Sequence, residues 1–266
     1  MLTYRNNPVG VDPVSATLIP VPESDDSSAR LKLLDTEGFF VAHELLSGAE
    51  LERLSEALSR EDHREDNHGA VRTRRGSVFA RRDLLGMSAV QELIASPTVR
   101  NAVRDVLGDG ARAVRGILLD KTPIANWLVP WHQDLSIAVR ERREVAGFGP
   151  WSIKAGVHHV QPPLEILERM IAVRVHLDDC REDNGPLRVI ARSHRRLWKP
   201  ALLDQLVRES CAVTCCANAG DALFMRPTIV HTSSPARTPS RRRVLHIEYA
   251  ARELPGGLEW NFAFVS

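Results

Sequence analysis

A histidine and an aspartate lie two residues apart within an apolar stretch of the chain. The stretch reads NWLVPWHQDLSIAV and contains His132 and Asp134. Residues two apart on a β-strand point to the same face, so one imidazole nitrogen and one carboxylate oxygen can meet a single metal ion. With a second histidine they would form the two-histidine, one-carboxylate set that holds non-haem Fe(II) and leaves positions open for a cosubstrate and dioxygen.

This spacing does not select the pair by itself. The chain has ten histidines, and a second pair, His176 and Asp178, precedes the polar turn DDCREDNGPL, where the aspartate can act as a turn or cap residue. Glutamate versions of the spacing occur as two further pairs: His63/Glu65 and His246/Glu248. An unpaired carboxylate in an apolar strand is costly, which favours a metal near Asp134. A buried pair satisfied by hydrogen bonds remains the alternative.

The C-terminal sequence GDALFMRPTIVHTSSPARTPSRRRVLHIEYA supplies further candidates. His231 ends an apolar run before a turn rich in serine and proline, a position from which a side chain can point into the mouth of a barrel. Arg242 follows on the predicted returning strand, and a buried guanidinium needs an anion. The distal carboxylate of a dicarboxylate cosubstrate suits its planar fork, and the Ser233 hydroxyl can donate to the same carboxylate. A solvated edge strand is the alternative for the arginine triplet 241–243.

The N-terminal part of the chain carries signals for an arm followed by helices. Residues 1–30 combine four prolines with a polar run and predict an irregular arm. The segment LLSGAELERLSEALSRE has a capping box formed by Ser47 and Glu50, which predicts a helix start. A second helical region is predicted in two pieces, of which the second begins at Ser96–Pro97 and ends at Gly108.

From residue 111 onward the pattern changes to short runs rich in β-branched and aliphatic residues, broken by turn residues. Seven or eight such strands without long intervening helices predict a sandwich or barrel. We therefore expect a single domain over 31–266 that is mostly β with flanking helices. Its helical part would cover about 31–110, and a jelly-roll core would cover about 111–266.

Composition excludes several classes of protein. The 266 residues are 43% hydrophobic and 26% charged, which is ordinary for a globular protein with one large domain. A formal net charge of +1 provides no overall field for nucleic acid. No run reaches the roughly 18 apolar residues of a membrane span, and the first residues lack a signal-peptide pattern. We expect a cytoplasmic protein with a small-molecule substrate and no nucleic-acid or membrane partner.

The order of these motifs resembles that of the phytanoyl-CoA dioxygenase family of Fe(II)/2-oxoglutarate-dependent oxygenases. The resemblance runs from LDTEGFFVAHELLSGAELERL near residue 35, through WHQDL, LDDCREDNGPLRVIARSH and GDALFMRP, to HTSSPA, RRR and HIEYA near residue 250. In that family the HxD pair precedes the NGPL-like turn and the last histidine follows it. The resemblance implies a double-stranded β-helix core of the jelly-roll, cupin-like type. It also implies specific roles: His132, Asp134 and His231 as metal ligands, Arg242 as the residue that holds the distal 2-oxoglutarate carboxylate, and Ser233 as a residue that assists Arg242 in holding it.

The activity implied by the resemblance is that of an oxidoreductase using Fe(II), 2-oxoglutarate and O2. It would oxidise a small-molecule metabolite with release of succinate and CO2, and hydroxylation of an unactivated C–H bond is the default outcome. Desaturation, demethylation or ring rearrangement would use the same residues. The alternatives are a catalytically inactive jelly-roll binding protein and a cupin-like metalloenzyme that does not use 2-oxoglutarate.

The segment RERREVAGFGPWSIKAGVHHVQPPLEILER, residues 140–169, has no counterpart that we can assign in the family. A long loop between core strands tends to cover the mouth of the fold, so we expect a substrate lid. The arginines at its start are expected to pair with neighbouring glutamates at the surface. Our candidates for substrate contact are Lys154, within this segment, and Trp131 and Arg174, on or beside the predicted strands.

Overall fold

The computed structural model describes residues 27–62, 70–72, 76 and 78–265, so His63/Glu65 and most of the predicted arm lie outside the described residues. The helices are α1 (Ser27–Thr36), α2 (Gly48–Asp62), α3 (Ser88–Ala95), α4 (Pro97–Leu107), α5 (Leu164–Leu167) and α6 (Pro200–Glu209). The first eight strands are β1 (Phe39–Ala42), β2 (Ala70–Arg72), β3 (Val78–Arg81), β4 (Arg112–Lys121), β5 (Val129–His132), β6 (Ile137–Val139), β7 (Trp151–Lys154) and β8 (Val157–Val160). The remaining strands are β9 (Met170–His176), β10 (Leu187–Ile190), β11 (Val213–Cys215), β12 (Ala222–Met225), β13 (Val230–Ser233), β14 (Arg242–Ala250) and β15 (Phe264–Val265).

Two antiparallel sheets form the core of the fold. The larger sheet has the order β1-β12-β9-β14-β4-β3-β2, with β15 added at β4, and the smaller sheet has the order β11-β10-β13-β5. Val41 and Leu223 of the larger sheet belong to the same buried cluster as Val189 and Val213 of the smaller one. This packing of sheet on sheet is that of a jelly roll, so the predicted fold class, mostly β with flanking helices, is confirmed.

The alternation of β14 explains how the larger sheet separates its core from its cavity. Leu245, Ile247 and Tyr249 are buried in one cluster with Leu54, Leu58, Val90 and Ile94 of the N-terminal helices. Arg242, His246 and Glu248 occupy the alternate positions and line a cavity on the other face. Each apolar side chain buried against the helices stabilises the fold by about 1.5 to 3 kcal/mol. The helices therefore pack on one face of β14, and the polar residues of this strand face the cavity on the other.

The predicted helix boundaries follow the capping residues. The Ser47 backbone N–H and hydroxyl donate to the Glu50 carboxylate at 2.9 and 2.6 Å. These hydrogen bonds lower the pKa of Glu50, as expected for a capping box at an exposed helix start. Ser96 accepts from the backbone of the first turn of α4, and Gly108 ends that helix with a φ of 83°. Local hydrogen bonds thus place these helix ends as the sequence predicts.

Several elements differ from the sequence-based expectation. Helix α1 begins at Ser27, so residues 27–30 are helical and not part of an irregular arm. Strands β1, β2 and β3 lie in the part expected to be helical. Strand β1 is a four-residue apolar run that pairs with β12, and a run this short carries no periodicity that separates strand from helix.

The segment 140–169 is also more ordered than a simple loop. Strands β7 and β8 form a hairpin that joins β6 in a three-stranded sheet. Ala155 and Gly156 connect them with φ values of 50° and 81°, the positive values that two-residue hairpin turns require. The expected surface pairs form between Arg142 and Glu144 and between Arg143 and Glu141, whereas Arg140 pairs with Glu259. Among the described residues, no helix is both long and apolar enough to cross a membrane.

Candidate metal centre

Two histidines lie side by side on neighbouring strands of the smaller sheet. His132 at the end of β5 is in register with His231 on β13, and their ring centroids are 4.2 Å apart. Nδ1 of His132 lies 2.8 Å from the Pro130 carbonyl oxygen, and Nδ1 of His231 lies 2.9 Å from that of Ile229. Because a carbonyl only accepts, each Nδ1 carries the proton and each Nε2 keeps a lone pair for a metal ion.

Asp134 completes the cluster from a loop. The spacing predicts that the aspartate lies on the same strand as His132, but strand β5 ends at His132 and Asp134 follows it. Its backbone N–H donates to the Pro227 carbonyl at 2.9 Å. Its carboxylate oxygens lie 3.5 Å from Nε2 of His132 and 3.6 Å from Nε2 of His231. Ligand atoms of all three residues lie within 4.8 Å of one another, and within the described part of the chain this is the one cluster of its kind.

Gln133, between His132 and Asp134 in sequence, fixes this loop through its side chain. Its side-chain nitrogen donates to the carbonyls of Arg196, at 2.9 Å, and Thr228. Its side-chain oxygen accepts from the Trp198 N–H at 2.9 Å. Three hydrogen bonds therefore hold the residue that connects His132 to Asp134. Such outer contacts orient metal ligands and support their affinity.

The charge states of Asp134 and His231 suit metal binding, whereas a metal ion would displace a proton from His132. Burial opposes ionisation of Asp134, but its electrostatic interactions with the two imidazoles and its hydrogen bond with His132 outweigh it and hold the pKa of the carboxyl well below its usual range. Burial lowers the pKa of His231 to about 4, so this imidazole is neutral at pH 7. Burial also acts against protonation of His132, yet its hydrogen bond and charge interaction with Asp134 raise its pKa. Two imidazoles and one carboxylate with open positions fit Fe(II) or another divalent first-row ion.

Two buried cations lie at another part of the same site. Arg242 begins β14 and pairs in register with Lys121 on β4. Nη1 of Arg242 donates to the Gly185 carbonyl at 2.7 Å, and its buried Nε has no hydrogen-bond partner among the described residues. Nζ of Lys121 donates to the Ser233 hydroxyl at 3.1 Å and the Ser234 carbonyl at 2.6 Å. Burial, followed by the charge of Arg242, lowers the pKa of Lys121 to about 7.

Neither of these cations has a carboxylate within ion-pair distance in the described part of the chain, although both are almost fully buried. Adjacent buried cations are costly unless an anion joins them. A dicarboxylate with one end on the metal and the other near Arg242 would provide that anion. The arrangement therefore fits 2-oxoglutarate as well as the metal.

The turn Asn184–Gly185 supports this cation site. Gly185 has a φ of +63°, and a Cβ at this position would lie 2.5 Å from the Ser234 carbonyl oxygen. Its own carbonyl accepts from Arg242 and, at 3.1 Å, from the Ser233 hydroxyl. The single proton of Ser233 is thus directed at Gly185, so direct assistance to a cosubstrate requires that hydroxyl to rotate.

The metal cluster, Arg242 and Ser233 line one cavity of about 190 Å³. Phe79 and Trp127 form part of its wall, with ring centroids 5.3 Å apart. Arginines and other polar residues form another part of the wall: Arg82, Arg115, Arg174, His246 and Glu248. The cavity therefore offers both aromatic and charged surface beside the metal cluster.

The three candidates for substrate contact have different positions. Arg174 lines the cavity, and its Nη1 lies 3.0 Å from Nδ1 of His246. Lys154 lines a neighbouring pocket, where its Nζ donates to the Ser136 hydroxyl at 2.9 Å. Trp131 does not contribute to the lining described for the metal cavity, and its ring lies 5.9 Å from the guanidinium of Arg188. Trp127, four residues earlier, lines the cavity instead, and the sequence contains no periodic signal that distinguishes the two tryptophans.

The competing HxD pair serves the structure. Asp178 accepts from the backbone N–H of Arg243 at 2.8 Å and forms an ion pair with its side chain at 2.7 Å. Arg241 likewise pairs with Asp120 at 2.8 Å. Two arginines of the triplet 241–243 therefore meet surface carboxylates, while Arg242 faces inward.

A jelly roll that holds two histidines and one carboxylate in its cavity, beside a buried arginine, has the architecture of a non-haem iron oxygenase. A family model described as "Phytanoyl-CoA dioxygenase (PhyH)" matches residues 34–244. The chain belongs to this family and is an Fe(II)/2-oxoglutarate-dependent oxygenase. A comparison with curated proteins found no match.

Solved structures with the same fold include several oxygenases. AviO1 from Streptomyces viridochromogenes Tue57 is 21% identical, with a TM-score of 0.63, covering 88% of this chain and 97% of that one. EctD from S. alaskensis, solved with 2-oxoglutarate and 5-hydroxyectoine, is 19% identical, with a TM-score of 0.66 and coverage of 89% and 79%. The carbocyclase SnoK from nogalamycin biosynthesis, described as α-ketoglutarate-dependent, is 14% identical, with a TM-score of 0.65 and coverage of 86% and 85%. At these identities the likeness concerns the fold.

Proposed function

We propose that this chain hydroxylates an unactivated C–H bond of a small-molecule metabolite. In this proposal Fe(II) is held by His132, Asp134 and His231, and the distal carboxylate of 2-oxoglutarate is held by Arg242. The observation that carries it is a single cavity with three metal ligands and a buried arginine that lacks a carboxylate partner among the described residues. Iron and 2-oxoglutarate, when bound with O2, supply the oxidising power, and the cosubstrate leaves as succinate and CO2.

The residues of the chain orient the reactants and exclude water. The Pro130 and Ile229 carbonyls fix the two histidine rings so that both Nε2 atoms face the site. Arg242, held by Gly185, presents its unpartnered Nε and remaining N–H groups to a carboxylate. The rings of Phe79 and Trp127 provide an apolar wall that limits water near the reacting C–H bond.

Relatives in fold support hydroxylation as the first choice of outcome. The EctD structure named above was solved with a hydroxylated compound, 5-hydroxyectoine. SnoK is described as a carbocyclase, and a further similar structure, SnoN, is described as an epimerase. The product must therefore be identified chemically, since the same fold accompanies different outcomes.

An anaerobic titration tests the proposal. The purified protein receives Fe(II) and then 2-oxoglutarate, and the weak visible charge-transfer band of their chelate is recorded. We expect a band in the wild type, none in His132→Ala, and a band that requires far more 2-oxoglutarate in Arg242→Ala. Arg241→Ala is the matched control, because this neighbouring arginine pairs with Asp120 at the surface and should leave the titration unchanged. A folded, iron-loaded wild type without the band would refute the proposed use of 2-oxoglutarate.

A further inference from the structure

A second pocket, of about 130 Å³, adjoins the metal cavity. Arg82 and Arg115 line both spaces, so the two share part of a wall. Lys154 and His159 also line the second pocket, and Asp83, which is exposed, is the one acidic residue of its lining. We call Arg82, Arg115 and Lys154 the basic group. It lies beside the metal cavity, on residues that the metal and 2-oxoglutarate sites do not use.

The basic group is only partly neutralised by the protein. Nη1 of Arg115 forms an ion pair with Glu248 at 2.9 Å. Arg82 has no hydrogen bond or ion pair with any residue that the structure describes, although its side chain is only partly exposed. Nζ of Lys154 donates to a neutral hydroxyl, that of Ser136. Two of the three cations therefore lack a carboxylate partner within the described ranges.

Burial and the nearness of the other cations both disfavour the charged forms of Arg82 and Lys154. Burial and then the charge of Arg115 lower the pKa of Arg82, outweighing the opposite effect of Asp83. Burial, Arg115 and Arg82 together lower the pKa of Lys154, against weaker opposing effects of Asp134 and Glu248. Cations that are partly withdrawn from water and close to each other gain most from a bound anion, which would relieve both costs.

We propose that Arg82 and Lys154 bind an anionic oxygen group of the substrate, so that the substrate is an organic acid or phosphate ester whose apolar part extends into the metal cavity. The inference rests on the proposed function and adds the chemical class of its substrate. Arg115, oriented by Glu248, lines both the second pocket and the metal cavity. The 2-oxoglutarate carboxylate has its own cations in Arg242 and Lys121, so two anions can bind at once.

The geometry also suggests the shape of the substrate. Phe79 and Trp127 line the metal cavity together with Arg82, so an aromatic or aliphatic body can contact these rings while its anionic end meets the basic group. A guanidinium and an ammonium at one site can each form charge-assisted hydrogen bonds with a carboxylate or with a phosphate. Probes of both kinds are therefore needed.

Calorimetric titration with matched probe pairs tests the inference. The protein, loaded anaerobically with Fe(II) and 2-oxoglutarate, is titrated with 3-phenylpropionate and its neutral amide, and with phenyl phosphate and phenol. A charge-assisted contact predicts that at least one anion binds about tenfold or more tighter than its neutral counterpart. Arg82→Met and Lys154→Met should each reduce this preference while leaving the affinity of the neutral probe and of 2-oxoglutarate unchanged. Arg208→Met, at an exposed position of α6, is the matched control and should retain the preference.

The outcomes separate the inference from the proposed function. Equal binding of anion and neutral probe in both pairs would overturn the inference, as would a preference that survives in both Arg82→Met and Lys154→Met. Repeating the titration without metal and cosubstrate makes the two failures distinguishable. Suppose that the wild type never forms the iron chelate but prefers the anionic probe, and that Arg82→Met abolishes this preference. The basic anion site would then stand, and the proposed oxygenase reaction would be refuted.

Discussion

Replacing Gly185 with alanine tests whether the turn beside Arg242 positions the 2-oxoglutarate site. The residue has a φ of +63°, and an added Cβ would lie 2.5 Å from the Ser234 carbonyl oxygen and 2.9 Å from Nζ of Lys121. The lysine tip can move, but the backbone oxygen belongs to the segment that follows β13. The turn must therefore shift, and the carbonyl that accepts from Arg242 shifts with it.

The magnitude follows from these contacts. A left-handed conformation costs an alanine about 1 to 2 kcal/mol relative to glycine. Displacing a charge-assisted hydrogen bond such as that from Arg242 to Gly185 adds about 1.5 to 3 kcal/mol. The sum is roughly 2.5 to 5 kcal/mol in the free energy of unfolding, which for a domain of this size lowers Tm by about 5 to 20 °C. The affinity for 2-oxoglutarate should fall about tenfold or more, since Arg242 loses one of its fixed contacts.

Thermal unfolding and 2-oxoglutarate titration of the same samples provide the measurement. Gly48→Ala is the matched control, because no atom lies within 4 Å of its added Cβ and its φ is not in the left-handed region. That control should keep the wild-type cosubstrate affinity and unfold at or slightly above the wild-type Tm. A Gly185→Ala protein with the Tm and the 2-oxoglutarate affinity of the wild type would refute the role assigned to the turn.

Two further predictions concern the loop of the proposed metal ligands and the stability of the fold at acidic pH. Gln133→Leu removes three hydrogen bonds behind His132 and Asp134, so metal affinity measured by equilibrium dialysis should fall about 10- to 100-fold, whereas unchanged affinity would show that the ligands position themselves. Burial lowers the pKa of His159 to about 4, so below the ordinary histidine pKa of about 6.5 the unfolded chain binds a proton that the folded chain does not. Stability should therefore fall by up to about 1.4 kcal/mol per pH unit from pH 6.5 to 4 on account of this residue. His159→Asn should flatten the dependence of Tm on pH over that range relative to the matched variant His158→Asn, and an unchanged slope would contradict the assignment.

The sequence could propose the metal ligands because their types and order are local information. His132 and Asp134 are two residues apart, and His231 follows the NGPL turn that the family pattern requires. Their meeting in space depends on the register between β5 and β13, which pairs His231 with His132. Register is a property of two strands together, so the sequence could name these residues but could not show their geometry.

The sequence named Lys154 as a candidate for substrate contact but could not place Arg82 beside it, because that proximity depends on tertiary contacts. The two residues are separated by more than seventy positions, Arg82 directly after β3 and Lys154 at the end of β7, so no spacing connects them. The sequence did not predict the hairpin β7–β8, because the charged start of its segment resembles a surface loop. His246 and Glu248 were visible as an HxE pair, and the alternation of β14 from Arg242 onward is the signal that could have placed them in the cavity.

The proposed sites for metal and cosubstrate lie on different sheets. The two histidines proposed as ligands belong to β5 and β13 of the smaller sheet, whereas Arg242 begins β14 of the larger one. A 2-oxoglutarate molecule that chelates the metal and meets Arg242 would therefore act as a removable cross-link between the two halves of the core. At a free concentration one hundred times its Kd, such a ligand stabilises the folded state by about 2.7 kcal/mol. The fraction of this protein that stays folded in a cell would then depend on the supply of iron and of a central metabolite, independently of its rate of catalysis.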